Sequence, residues 1–199
     1  LWNPLLQLRI DRQLKRPSDE RTWTDVDALV DLLGASPRIN DAQIAILRAD
    51  VMVRKNRSNE AIALLREAVG KDPSSEPLLG ALLTLVLQFE GPSAARLIVE
   101  EVPADARETA TLMTLEANIA AADDADDAIT TLTNIEARLE SLTSVEQRQV
   151  VSAVVSAYSA IGEGEKAVQA YRRLLEREPD NLAVWDAVFR LAERNGNLE

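Results

Sequence analysis

Residues 148–185 carry the clearest helical pattern in the chain and read RQVVSAVVSAYSAIGEGEKAVQAYRRLLEREPDNLAVW. Over residues 151–158 its apolar side chains recur at the i, i+3, i+4 and i+7 positions that form one face of a helix. Residues 167–175 repeat that spacing. Gly162 and Gly164 stand between the two runs, and glycine accepts the left-handed backbone that closes a helix. The stretch therefore predicts two helices joined by a tight turn.

A third helix is predicted to follow this pair. Pro179 ends the second helix, because proline lacks the N–H donor and clashes with the preceding turn. Asp180 or Asn181 can then cap a helix that contains Trp185. Other helix starts are predicted from capping residues: Ser18 for a helix that ends near Leu33, and the pairs Asn40–Gln43, Asp105–Glu108 and Ser144–Gln147.

An alanine pattern recurs along the chain at a nearly constant step. An alanine followed by apolar or small residues four and seven positions later begins at Ala61, Ala95, Ala128 and Ala167, in steps of 34, 33 and 39 residues. Ala28 is a weaker match one step earlier. Such a step is typical of a solenoid, in which each helix pair buries its open face on the next pair. The alternative is a globular helical bundle with accidental spacing.

The hairpin within residues 148–185 resembles the tetratricopeptide repeat (TPR), whose period is about 34 residues. The resemblance runs through Tyr158, Gly162, Ala167, Tyr171 and Pro179, and the segment at 59–68, closed by Asp72 and Pro73, is similar to the second helix of the family. It implies an all-α, right-handed superhelix, an α-solenoid of about five antiparallel hairpins plus a terminal helix. We expect one such domain over residues 1–199, with hairpins at 2–34, 41–70, 76–102, 106–142 and 145–177 and the terminal helix at 181–195. Because the chain begins with Leu1, we expect it to be a fragment of a longer one.

Composition argues against several classes of function. The formal net charge of −11 disfavours binding to nucleic acid, whose phosphates require a basic face. With no Cys and no His, the chain lacks the ligands of ordinary zinc sites, a thiolate nucleophile and a histidine general base. The Asp-rich segment at 123–127 does not fit a calcium loop, because Ile129 stands where that loop needs glycine. The apolar run at 77–89 is too short to insert into a membrane. We therefore predict no enzyme activity and no cofactor or metal.

A partner surface follows from the resemblance. In TPR proteins the first helix of each hairpin lines a concave groove. At the positions of this chain that match the groove, small or weakly polar side chains would leave room for a bulky helix or an extended segment. The positions that match the groove are Gln43, Ile46, Asp50, Arg54, Thr84, Gln88, Met113, Ala117, Gln149, Ser152, Ser156 and Ser159. Family members that bind chaperone tails clamp a terminal carboxylate with Lys and Asn, and the matching positions here supply no cation.

The chain is thus predicted to be a non-catalytic scaffold that binds a protein or peptide of unidentified sequence. The alternative is a structural spacer, a self-association segment or a regulatory arm of a larger multidomain protein. The apolar terminal helix at 181–195 motivates self-association, since an uncapped repeat needs a partner. At their helical spacing Trp2, Trp23 and Trp185 are predicted to be core residues; the alternatives are exposed binding anchors and, for Trp2, packing on a neighbour outside this chain.

Overall fold

The computed structural model describes residues 4–123 and 125–194, and this part of the chain contains helices and turns but no strand. The all-α prediction is confirmed. The α-helices are α1 (Pro4–Leu14), α2 (Thr24–Gly34), α3 (Asp41–Arg54), α4 (Ser58–Lys71), α5 (Glu76–Phe89), α6 (Pro92–Glu101), α7 (Ala104–Arg107), α8 (Ala110–Ala121), α9 (Ala125–Arg138), α10 (Ser144–Ala160), α11 (Gly164–Arg177) and α12 (Leu182–Arg194), with short 3₁₀ helices at Ser18–Glu20 and Leu139–Ser141. Trp2 lies outside the described residues.

The chain divides into two compact units, Leu1–Leu85 and Val86–Glu199. In the first unit α1 packs on α2, α2 on α3, and α3 on α4. The core between these helices is aliphatic, built around Leu6, Ile10, Val26, Leu47 and Val51. In a solenoid each helix packs on the next one along the chain, and the helices from α1 to α4 do so. The prediction that residues 1–199 form a single domain stays a prediction.

An ion pair connects α2 to the end of α3 at the edge of this first core. Lys55 reaches from the end of α3 to Asp27 on α2, with 2.5 Å between Nζ and Oδ1. The same ammonium lies 5.7 Å from the centre of the Trp23 ring, within range of a cation–π interaction. Trp23 itself is partly buried against the core, as predicted.

The start of α2 differs from the prediction that Ser18 caps a helix to Leu33. The backbone N–H of Thr22 donates to Oε1 of the buried Gln13, at 3.0 Å, and Arg21 is extended. Residues 18–20 form a separate 3₁₀ helix, and α2 begins only at Thr24. The weak alanine match at Ala28 is wrong as well, because this residue is exposed and the buried side chains of α2 lie elsewhere on its surface, at Val26, Leu29 and Val30.

In the second unit α6 packs on α8, and α8 and α9 form a hairpin. The next helix, α10, packs on both α8 and α9 and forms a second hairpin with α11, on which α12 packs. One continuous apolar core connects α8 to α12. Gly162 takes a φ of +85° in the turn between α10 and α11, which explains the glycine there. α10 and α11 thus form an antiparallel hairpin closed by this turn.

The repeated alanines are buried, as their spacing predicts. Ala61, Ala95, Ala128 and Ala167 are each at most 1% exposed, and they lie on α4, α6, α9 and α11. A methyl side chain at these positions lets two helix backbones come close, and the neighbouring larger residues then fill the remaining space. Both units therefore consist of TPR-like helix packing, with an alanine at the contact.

Of the three predicted capping boxes, one is confirmed and two are wrong. Asn40 and Gln43 form the capping box of α3, with backbone-to-side-chain distances of 2.8 and 3.1 Å. The Asp105–Glu108 prediction is wrong, because residue 105 lies inside α7 and Thr109 caps a separate helix, α8. The Ser144–Gln147 box is also wrong: Thr143 and Glu146 cap α10, and the hydrogen bond from the Thr143 hydroxyl lowers the pKa of Glu146.

A buried ion pair joins α8 to α9. Arg138 donates from Nη1 to Oε2 of Glu116 at 2.8 Å, from Nε to Glu108 at 3.1 Å, and from Nη2 to the carbonyl of Arg107 at 2.5 Å. Glu116 is buried, and its second oxygen has no hydrogen-bond partner among the residues that the structure describes. The guanidinium therefore compensates a carboxylate that has little contact with solvent.

We predict that Arg138→Met lowers the free energy of unfolding by about 3–5 kcal/mol, because it leaves Glu116 charged and buried without its cation. The double variant Arg138→Met/Glu116→Met should recover most of that loss, since two apolar side chains replace the pair. Urea denaturation of the wild type and the two variants measures both effects. A double variant no more stable than Arg138→Met would contradict the role given to Glu116.

We also predict that Ala167→Trp overfills the contact between α10 and α11, at a cost of roughly 1–3 kcal/mol. Gln169→Trp, on the exposed face of the same helix, is the matched control and should change stability little. The melting temperatures of the wild type and the two variants, measured by thermal unfolding, test this prediction. Equal melting temperatures would mean that the helices do not meet at Ala167.

Candidate functional site

One face of α10 carries four of the predicted groove residues. Gln149, Ser152, Ser156 and Ser159 are all exposed, whereas Val150, Val151, Val154 and Val155 on the other faces are buried. Three sides of α10 are occupied because it packs on α8, α9 and α11. The polar line at 149, 152, 156 and 159 is the side that remains open to solvent. It is called the α10 polar face below.

Most of the polar groups on the α10 polar face are available to a ligand. Ser159 donates back to the carbonyl of Val155, at 2.8 Å, so its proton is engaged within the helix. Within residues 4–123 and 125–194 the side chains of Gln149, Ser152 and Ser156 form no hydrogen bond. These three side chains can donate and accept, and they carry no charge.

The neighbouring helix α8 does not present the residues that were predicted. Met113 and Ala117 are fully buried in the core, so their assignment to the exposed groove is wrong. The more open line of α8 lies one residue further along, at the half-buried Thr114 and the exposed Asn118. A shift of one residue turns a side chain by about 100° around the helix, which is enough to exchange a buried face for an open one.

Thr114 and Asn118 lie on α8, which packs against α10. Thr114 donates to the carbonyl of Ala110 at 2.7 Å, which leaves the exposed Asn118 as the freer of the two. The sequence signal for this register was weak, because α8 is apolar or small around most of its circumference. Seven of its twelve residues are buried, which leaves no clear polar stripe to read.

The remaining predicted residues lie on α3 and α5 and have varied surroundings. Gln43 belongs to the capping box of α3, and Ile46 is half-buried. Asp50 and Arg54 pair with each other at 3.1 Å. Thr84 is exposed and donates to Gly80 at 2.7 Å, and Gln88 is exposed within the Val86–Glu199 unit. Their membership of a binding surface stays a prediction.

Beneath the α10 polar face lies a buried tyrosine. The Tyr158 hydroxyl donates to Glu136 at 3.3 Å and lies 3.5 Å from the hydroxyl of Thr133. Burial, the largest effect, raises the pKa of Tyr158 above its usual value, so that the phenol stays protonated. Glu136 also forms an ion pair with Arg173, with 3.0 Å between Oε2 and Nη1. This arrangement fixes α10 against α9 and α11 and leaves no reactive group on the open face.

One side of the apolar terminal helix α12 is exposed. Leu182, Trp185 and Phe189 are 80%, 51% and 59% exposed. The placement of Trp185 in the core is therefore wrong; its ring lies outside the core, and its indole N–H donates to the carbonyl of Pro179 at 2.9 Å. The opposite face of α12, with Val184 and Val188, is buried. The spacing alone could not separate the two faces, because both are apolar.

Metal ligands and membrane spans were sought over the same ranges. In residues 4–123 and 125–194 no group of three or more acidic side chains is arranged to hold a metal ion. Asp124, part of the Asp-rich segment, lies outside these ranges. None of the helices described is both long enough and apolar enough to cross a bilayer.

Comparison with known proteins adds one likeness in fold. No family model and no curated protein matches the chain. A solved structure described as a thermophilic TPR protein of Thermus thermophilus is similar over 94% of this chain and 98% of its own, with 18% identity and a TM-score of 0.49. At that similarity the assignment of the fold rests on the helix packing and the buried alanines. The fold is TPR-like.

Proposed function

We propose that this protein is a non-catalytic scaffold that binds an extended peptide segment of a protein partner along the α10 polar face. Folds of this kind generally serve protein interactions, through the surface that successive repeats build together. The observation that carries the proposal is the line formed by Gln149, Ser152 and Ser156. These are exposed hydrogen-bonding groups that no residue in the described part of the chain engages.

The spacing of this line favours an extended ligand. Ser152 and Ser156 are separated by about 6 Å along the helix axis, given a rise of 1.5 Å per residue. An extended chain presents backbone groups to one side every two residues, or roughly 6.6–6.8 Å. These two distances are similar, so peptide groups two residues apart in the ligand can reach the two serine hydroxyls. Small side chains at these positions also let a peptide backbone approach the helix.

The charge of the face points to hydrogen bonding as the source of specificity. Gln149, Ser152, Ser156 and Ser159 are uncharged although the chain as a whole carries −11. A ligand recognised here needs no basic side chain, and its backbone groups can pair with the amide and hydroxyls. Asn118 on α8 extends the same chemistry to the neighbouring helix. No residue of the face is a nucleophile activated by a base, which supports a binding role rather than catalysis.

The test begins with peptides selected from a random phage-displayed library on the intact 199-residue chain. Affinities of the selected peptides are then measured by isothermal titration calorimetry for the wild type, Ser152→Arg and Ser156→Arg. Each arginine should weaken binding at least tenfold, about 1.4 kcal/mol, because a long charged side chain covers the line. Both positions are exposed, so the melting temperature should not change.

Gln169→Arg is the matched control, since it adds the same side chain at an exposed position of α11, away from the proposed line. It should leave affinity unchanged. Asn118→Arg extends the test to α8 and should weaken binding too. Selected peptides that bind the two serine variants as tightly as the wild type would count against the α10 polar face as the site.

A further inference from the structure

The apolar surface of α12 occupies positions that are buried one repeat earlier. Trp185 and Phe189 follow Val151 and Val155 by 34 residues, and those two valines of α10 are only 3% and 6% exposed. The valines belong to the core that α10 shares with α9 and α11. Trp185 and Phe189 are instead 51% and 59% exposed, although they are larger. α12 thus has an apolar face at the positions that bind other helices one repeat earlier, and no described helix covers this face.

We propose that this face is covered by α12 of a second copy of the chain, packed antiparallel around a twofold axis. The surface is called the α12 apolar face, and consists of Leu182, Trp185 and Phe189. An exposed stripe of large apolar side chains on a helix marks an association surface. A twofold axis requires a surface that is complementary to itself.

The charge on α12 favours a second copy as the occupant. Two copies of a chain with net charge −11 repel each other at most surfaces. Residues 182–194 are neutral, because Asp186 and Glu193 balance Arg190 and Arg194. A neutral apolar helix also offers no attraction to a basic partner. Self-association therefore meets little electrostatic opposition at this helix.

The pattern of charge next to the stripe favours the antiparallel arrangement. Asp186 and Arg190 lie one turn apart on the exposed side of α12, and their side chains pair at 2.9 Å. In an antiparallel pair centred near residues 187 and 188, Asp186 of each copy comes beside Arg190 of the other. The same register sets Trp185 beside Phe189 of the second copy. A parallel pair would instead place like charges opposite each other.

The contact is short, so the dimer is expected to be weak. Thirteen residues of helix extend over about 20 Å at 1.5 Å per residue. Sedimentation equilibrium of the 199-residue chain between about 5 and 500 μM, a range that brackets micromolar affinity, should show a reversible monomer–dimer equilibrium. A chain that stays monomeric over this range overturns the proposal and leaves the α12 apolar face to a different partner.

Two sets of variants locate the contact and its direction. Trp185→Lys/Phe189→Lys should abolish the dimer, whereas Leu97→Lys, at a position on α6 that is 62% exposed, should not change it. Asp186→Arg and Arg190→Asp should each weaken self-association at least fivefold through like charges.

An equimolar mixture of Asp186→Arg and Arg190→Asp chains should restore association as a heterodimer, because each added charge then faces its opposite. Circular dichroism checks that every variant keeps its helix content. Overturning results are a dimer that survives the two lysines or is lost with Leu97→Lys, and a mixture that associates no better than the separate variants.

Discussion

Close contact between helix backbones at buried alanines is the interaction on which the rest of the structure depends. At Ala128 and Ala167 the second helix of each hairpin presents only a methyl group. The first helix can then approach closely, and residues such as Leu132 and Leu174 fill the space beside the contact. A large side chain at the alanine would separate the helices and open gaps around every neighbour. The alanine therefore matters through the packing that it permits, since its own burial contributes little.

Ion pairs between successive second helices maintain the register of the hairpins. Glu136 pairs with Arg173, and Glu140 with Arg177, at 3.0 and 3.3 Å. Both pairs join residues that are 37 positions apart in the sequence, so both form at the same register of the two segments. Most of these side chains are exposed, and pairs of this kind contribute little free energy each. Their effect is on register, since a shift by one residue would break both pairs while the apolar core tolerates small displacements.

The sequence predicted this fold well where side-chain size and backbone freedom determined the structure. Four alanines and the turn glycine Gly162 have one physical function each, and each is visible without knowledge of the neighbours. Helix starts were less certain because several Ser, Thr and Asp residues compete to cap the same turn. At Thr143 and Thr109 the choice depended on which backbone N–H groups the tertiary structure left unpaired, and that information is not local.

The face that a helix turns to solvent was the least predictable feature, and α8 and α10 show why. Four polar residues on α10 alternate with buried valines, so its open side could be read from the sequence. Around Met113 and Ala117 most residues of α8 are small or apolar, and its orientation is decided by packing on α6, α7, α9 and α10. The same ambiguity recurs on α12, where both faces are apolar. There the outcome depends on which side of α12 its neighbours pack against. The other of the two apolar stripes then remains exposed.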